Sequence, residues 1–288
     1  MPLAIVLSLK STSSLTLPPF LGRATHAWFL DQIRQVDTAL AAELHVPNAP
    51  RPFTTSPLWP PSATPGQDRL LLSAGETCHL RLTSVSPPLS DLLLSKLAPA
   101  WQRSRVGLAG LDLLCTGVAL TAAEHPRAGQ VSYAELIETA EHSPAPRYVT
   151  LGFVSPTTFR RSPPADSAFS HAAREVPLPL PALLFGGLLS SWNAFAPQPL
   201  PPELRTFARE CVAVASYSLR TEVVEFGRGS RGRVRGFVGT CRFAIRHNDP
   251  AWRRRIALLA SFAPFSGVGW STTMGLGQVS LERRFAPH

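Results

Sequence analysis

This 288-residue chain reads as α+β, built from two successive β-α-β-β-α-β runs. Two observations carry that reading. Apolar residues switch between alternation and helical spacing in the same order twice, and an acidic stretch followed by prolines separates the two series. The order is ferredoxin-like, or RRM-like. Two tandem ferredoxin-like domains are therefore predicted, residues 1–142 and 147–288, with a C-terminal glycine-rich loop.

The first series opens with a strand at Leu3–Leu9. A helix follows from Thr25, with Trp28, Phe29, Ile33 and Val36 at helical spacing, and Thr38–His45 continues it. Pro47, Pro50 and Pro52 end that helix. Extended segments follow at Arg69–Leu72 and Thr77–Val85, the latter alternating Cys78, Leu80 and Leu82 with His79, Arg81 and Thr83. A second helix spans Pro87–Trp101, with Leu89, Leu92, Leu93 and Leu97 on one face, and Val106–Leu120 is the last strand region.

The acidic run Glu135–Glu141, then Ser143-Pro-Ala-Pro146, marks the boundary. The second series starts with a strand at Tyr148–Val154, then helical segments at Ala182–Phe195 and Glu203–Val214. A hairpin runs from Ser218–Phe226 through a basic loop to Arg235–Arg246. Asp249-Pro250 is an N-cap and N1 pair for a helix reaching Phe262. The glycine loop and a final apolar strand complete the order.

Composition narrows the function. Hydrophobic residues make up 44% and charged residues 16%, which suits a globular protein with a real core. The formal charge is +9, with a pI near 10.4. Lys10 and Lys96 are the lysines, so arginine supplies nearly all the positive charge. Arginine's planar fork suits phosphate, although a GC-rich genome also favours arginine. The distribution is more telling. Residues 1–146 hold 10 basic and 11 acidic side chains, and residues 147–288 hold 18 and 8. A nearly neutral half beside a strongly cationic one is the footprint of a nucleic-acid binder. Non-specific membrane affinity is the rival, without an amphipathic basic helix or lipidation motif to support it.

Cys78, Cys115, Cys211 and Cys241 lack zinc-like spacing and read as thiols in a reducing compartment. The start of the chain lacks a basic region ahead of its apolar run, and apolar stretches are too interrupted to span a bilayer. A cytoplasmic protein is expected, with no membrane partner, no metal and no cofactor.

Gly267, Gly269, Gly275 and Gly277 punctuate the closing loop. Such a cluster can present bare N–H groups to a phosphate. A dinucleotide fingerprint needs a strand before its glycines and a helix after them, and here the order is reversed. A glycine-rich turn without a ligand is the plainer alternative.

Successive motifs carry a resemblance. They are His26-Ala-Trp-Phe29, Leu44-His45, Pro52-Phe-Thr-Thr-Ser56, Phe153-Val-Ser-Pro-Thr-Thr-Phe-Arg160 and Gly236-Phe-Val-Gly239. Phe262-Ala-Pro-Phe-Ser-Gly-Val-Gly269 and Thr273-Met-Gly-Leu-Gly277 close the series. In this order they resemble the CRISPR repeat-processing endoribonucleases of the RAMP superfamily. The resemblance implies cleavage of CRISPR repeat RNA (pre-crRNA), stem-loop or unstructured, to 2′,3′-cyclic phosphate and 5′-hydroxyl ends. A non-catalytic RAMP subunit of a CRISPR effector complex is the alternative, and other effector subunits are possible partners.

Metal-free RNA cleavage needs a base, an acid and a cation, and histidine suits both proton-transfer roles. By the resemblance His45 is the catalytic histidine, although a helix C-terminus also favours a histidine for its dipole. His26 is the second candidate, or else a helix-start residue packing on Trp28 or Phe29. Many family members add a tyrosine and a lysine. This chain departs from that pattern, and Arg51, with Arg34 behind it, is the replacement cation. For binding, Arg228, Arg231, Arg233 and Arg235 are expected at a hairpin tip against RNA, together with Gly267, Gly269, Thr273, Gly275 and Gly277 of the terminal loop. Arg253-Arg-Arg255 is a second basic patch that would wrap around more than one helix face.

Overall fold

The computed structural model describes residues 1–18, 20–46, 50–59, 70–161, 174–225 and 232–282. It forms two compact units, Met1–Tyr133 with Thr273–Gly275, and Ala134–Thr272 with Leu276–His288. Among the described residues no helix is long and apolar enough to cross a membrane.

In the first unit, β1 (Leu3–Ser11) is followed by β2 (Leu15–Leu17), α1 (Gly22–Val36) and α2 (Thr38–His45). Next come β3 (Phe53–Thr55), β4 (Leu70–Leu72), β5 (Thr77–Ser84), α3 (Pro87–Leu92) and α4 (Ala98–Trp101). The unit continues with β6 (Arg105–Leu108), β7 (Leu111–Ala119) and β8 (Gly129–Gln130). The main sheet has the order β3-β5-β1-β7-β6, with β8 also on β1. Alternation builds its core face: Leu3, Ile5, Leu7 and Leu9 of β1 and Cys78, Leu80 and Leu82 of β5 are all 0% exposed. Phe29, Leu30 and Ile33 of α1 join the same cluster. Each large aliphatic side chain so buried contributes about 1.5–3 kcal/mol.

Three departures from the sequence reading have physical causes. The helix does not run unbroken from Thr25 to His45. Asp37 turns extended (φ −149°, ψ 98°) and its side chain accepts from the Leu40 N–H, capping a new helix. Leu70–Leu72 pairs with Leu15–Leu17 in a separate two-stranded sheet, and Phe53–Thr55 takes the main-sheet edge beside β5. Pro87–Trp101 is interrupted by a π-helical turn at Leu93–Leu97, just before Pro99, which has no N–H to donate back.

The second unit takes in the acidic run, which is helical as part of α5 (Tyr133–His142). It continues with β9 (Tyr148–Thr157), β10 (Phe159–Arg161), β11 (Arg174–Val176), α6 (Pro181–Phe195) and α7 (Leu204–Cys211). It closes with β12 (Val212–Glu225), β13 (Arg233–Ile245), α8 (Pro250–Ser266) and β14 (Val279–Glu282). The sheet order is β12-β13-β9-β14. The hairpin is longer than its pattern suggested. Val212-Ala-Val214, expected to be helical, pairs instead with Ile245, Ala244 and Phe243, as β-branched residues favour. Asp249 caps α8 through the Ala251 N–H, as its position before Pro250 predicts.

Candidate active site

The first turns of α1 carry His26, half-buried and stacked on Phe53 of β3, with centroids 5.8 Å apart and planes 17° apart. Its Nδ1 lies 3.0 Å from the Thr273 carbonyl oxygen. A carbonyl only accepts, so Nδ1 carries the proton, and Nε2 of the neutral ring is the basic nitrogen. The same oxygen accepts from Thr55 Oγ1 at 2.8 Å. Thr55 is 0% exposed, and its hydroxyl lies 3.3 Å from that of Thr25, itself 3.1 Å from the Ser56 carbonyl. Thr273 thus serves α1 and β3 through its main chain, with its residue 8% exposed.

His45 is the last residue of α2 and is exposed. Its Nδ1 donates to the Ala41 carbonyl at 2.7 Å, which again leaves Nε2 as the basic nitrogen. Arg51 donates through Nη1 to the Leu44 carbonyl, fixing its guanidinium beside the end of α2. Burial lowers the pKa of His26 below its ordinary 6.5, the Thr273 hydrogen bond acts against that, and the charges of His45 and Arg51 lower it further. Arg34 is paired with Asp31 at 2.5 Å and is 68% exposed. Among the described residues, no three His, Cys, Asp or Glu side chains are placed to hold a metal ion.

The basic residues of the second unit divide. Arg228 and Arg231 lie outside the described residues. Arg233 and Arg235 belong to β13 rather than to the hairpin tip, opposite Glu225 and Val223. Arg233 bonds Glu225 at 2.7 Å, while the Arg235 side chain is exposed. Arg160 lies over the Trp270 ring at 3.6 Å, and the Trp270 N–H donates to the Thr158 carbonyl. In the second patch, Arg254 donates to the Ser143 carbonyl and Arg255 lies over Trp252.

The loop glycines meet protein backbone. Gly269 and Gly277 have φ of 90° and 66°, and an added Cβ would lie 2.4 Å from the Thr158 carbonyl oxygen and 2.0 Å from that of Val268. Gly275, at φ 93°, packs on Phe20 and Pro57. Gly267 ends α8, its N–H donating to Ala263.

Comparison with known proteins gives the family of the chain. The family model described as CRISPR-associated endoribonuclease Cas6 matches residues 151–279, and that of the CRISPR Cas6 N-terminal domain matches residues 1–138. Thermus thermophilus Cas6 is 30% identical, with a TM-score of 0.69 and 98% of each chain covered. The chain belongs to the Cas6 family. A Cas6 product complex superposes with a TM-score of 0.77 at 29% identity, covering 98% of this chain and 100% of that one. The CRISPR-associated endoribonuclease Cas6 of Mycobacterium tuberculosis is 27% identical over 160 residues. That match takes in 54% of this chain and 49% of the relative, so it spans about half the length of that curated protein. Tandem ferredoxin-like domains are the fold of these Cas6 neighbours, and the chain shares it.

The sequence reading gave no site role to Thr25, which opens its first helix, to Thr55, which stands in the Pro52–Ser56 motif, or to Gly22. An added Cβ on Gly22 would sit 1.8 Å from the Met274 carbonyl oxygen. The available signal was the buried hydroxyl run Thr54-Thr-Ser56 following a histidine-ended helix.

Proposed function

We propose that this Cas6 chain cleaves CRISPR repeat RNA, a pre-crRNA, through its own side chains. The observation that carries the reading is that His26 and His45 are each held at Nδ1 by a main-chain carbonyl and present Nε2, with Arg51 fixed on the Leu44 carbonyl beside His45. His26, kept neutral by burial, takes the proton from the ribose 2′-OH through Nε2. The O2′–P bond forms and the P–O5′ bond breaks. His45 delivers through Nε2 the proton that the departing 5′-oxygen takes up. The products are a 2′,3′-cyclic phosphate and a 5′-hydroxyl. The N–H groups of Arg51 not used on Leu44 stabilise the phosphorane's charge, a role its fork geometry suits. His26 thereby supplies the second proton-transfer group, in place of the tyrosine found in many relatives.

The excess of basic residues after residue 147 supports binding of the same RNA by the second unit, and a relative captured as a product complex supports turnover at this fold. Single-turnover cleavage of the repeat RNA is the test. Cleavage should persist in excess EDTA and stop when the ribose 5′ of the scissile phosphate is 2′-deoxy. His45→Ala should lower the rate by about 10²-fold or more with affinity little changed. Loss in EDTA with rescue by magnesium, or a wild-type rate in His45→Ala, would overturn the mechanism. Tight binding without cleavage by the wild-type chain would assign it to the non-catalytic alternative.

A further inference from the structure

We infer that Thr55 is a positioning residue for His26, acting through the main-chain carbonyl of Thr273. The inference rests on the proton-transfer role assigned to His26 above. One short strand sets two coordinates of the ring. Phe53 and Thr55 are two residues apart on β3, so their side chains leave the same face. Phe53 stacks on the plane of the ring. Thr55 holds, at 2.8 Å, the oxygen that the ring's Nδ1 faces at 3.0 Å. Plane, edge and tautomer of His26 are thus referred to one strand.

The chemistry requires this support. A carbonyl oxygen has two lone pairs, and here the imidazole N–H and the threonine hydroxyl use both. The Thr55 hydroxyl, 0% exposed, keeps the peptide plane of Thr273 oriented with or without a ligand on the histidine. Without that hydroxyl, the carbonyl loses one of the two side-chain partners that orient it. The ring can then turn or change tautomer, and Nε2 is no longer reliably the basic nitrogen. A misplacement of about 1 Å at a reacting group can cost on the order of 10²-fold in rate. Partial loss of restraint should cost about tenfold on that scale.

Three variants of the full chain separate positioning from general stability: Thr55→Val, Thr55→Ser and Thr55→Cys. Nitrogen-15 NMR of the His26 ring reports the tautomer, and single-turnover cleavage with a separate RNA affinity measurement reports the chemistry. The native ring should show the Nδ1–H form. Thr55→Val should shift it toward Nε2–H and lower the cleavage rate about tenfold at unchanged affinity. Thr55→Ser should restore both signals, and Thr55→Cys, a weak donor, should fall between. Should Thr55→Val fail to fold, the graded Ser and Cys pair carries the test. A folded Thr55→Val, or Thr55→Cys, with the native tautomer and native rate would overturn the inference. A shifted tautomer at native rate, together with full activity in His26→Gln, would remove His26 from the chemistry while leaving Thr55 as its positioning residue.

Discussion

Gly22→Ala adds one methyl group, removes no charge and touches no reacting atom, yet it should slow cleavage. The new Cβ would lie 1.8 Å from the Met274 carbonyl oxygen and 2.5 Å from Phe20 Cε1. Real Cβ atoms keep at least 3.0 Å, so the carbonyl must retreat by about 1.2 Å. Thr273 is the next residue back along the chain, and its oxygen sits 3.0 Å from His26 Nδ1. A comparable displacement takes that hydrogen bond beyond its limit near 3.5 Å. Overpacking costs about 1–3 kcal/mol, and a lost hydrogen bond ~1 kcal/mol. The melting temperature should therefore fall by roughly 4–16 °C. Single-turnover cleavage should drop by about 10- to 100-fold, with RNA affinity held within a few-fold because every phosphate-binding cation remains. Gly107→Ala is the control, since no atom lies within 4 Å of its added Cβ; it should match the native protein in all three measurements. A folded Gly22→Ala that cuts at the native rate would show that the loop carbonyl does not govern His26.

Two further outcomes are expected. His26, His79 and His125 all have pKa values lowered from 6.5, with burial the leading cause in each. Below that value the unfolded chain binds protons that the folded chain does not, so stability should fall as pH drops from 6.5 toward 5. Denaturation midpoints measured at pH 7.5, 6 and 5 check the sign, and a rise on acidification would contradict it. On the hairpin, Arg235→Ala should reduce the salt slope of RNA binding by about 0.7–0.9. Arg233→Ala should reduce it by less, since Glu225 already opposes that charge at 2.7 Å; equal effects would deny the pairing a role.

Local patterns made much of the fold legible. The alternation of Cys78, Leu80 and Leu82, the stripe of Phe29 and Ile33, and the Asp249-Pro250 cap each state their conformation within a few residues. The failures arose where two local signals compete. Asp37 sits inside a helical run but offers its carboxylate to the Leu40 N–H. Val212 and Val214 follow a helix at helical spacing but are β-branched and find partners on β13. Leu70–Leu72 looks like any short strand, and its choice of Leu15–Leu17 over the main sheet is a matter of tertiary pairing. At the site, sequence motifs made His45 the first candidate and His26 the second, and Arg51 was read as the replacement cation from its place six residues after His45. Thr55 and Gly22 act on backbone supplied 218 or more positions later, Thr55 on the carbonyl of Thr273 and Gly22 against that of Met274. No local window of sequence contains both partners.

The same separation has a consequence in time. Thr273 follows His26 by 247 positions. At about 5–20 residues per second, a ribosome needs roughly 12–50 s to travel that distance. For most of that interval the nascent chain already contains His26, His45 and Arg51, but the carbonyl that faces His26 Nδ1 has not been made. A chain abandoned before residue 273 would carry the chemical groups of a nuclease without the contact that orients one of them.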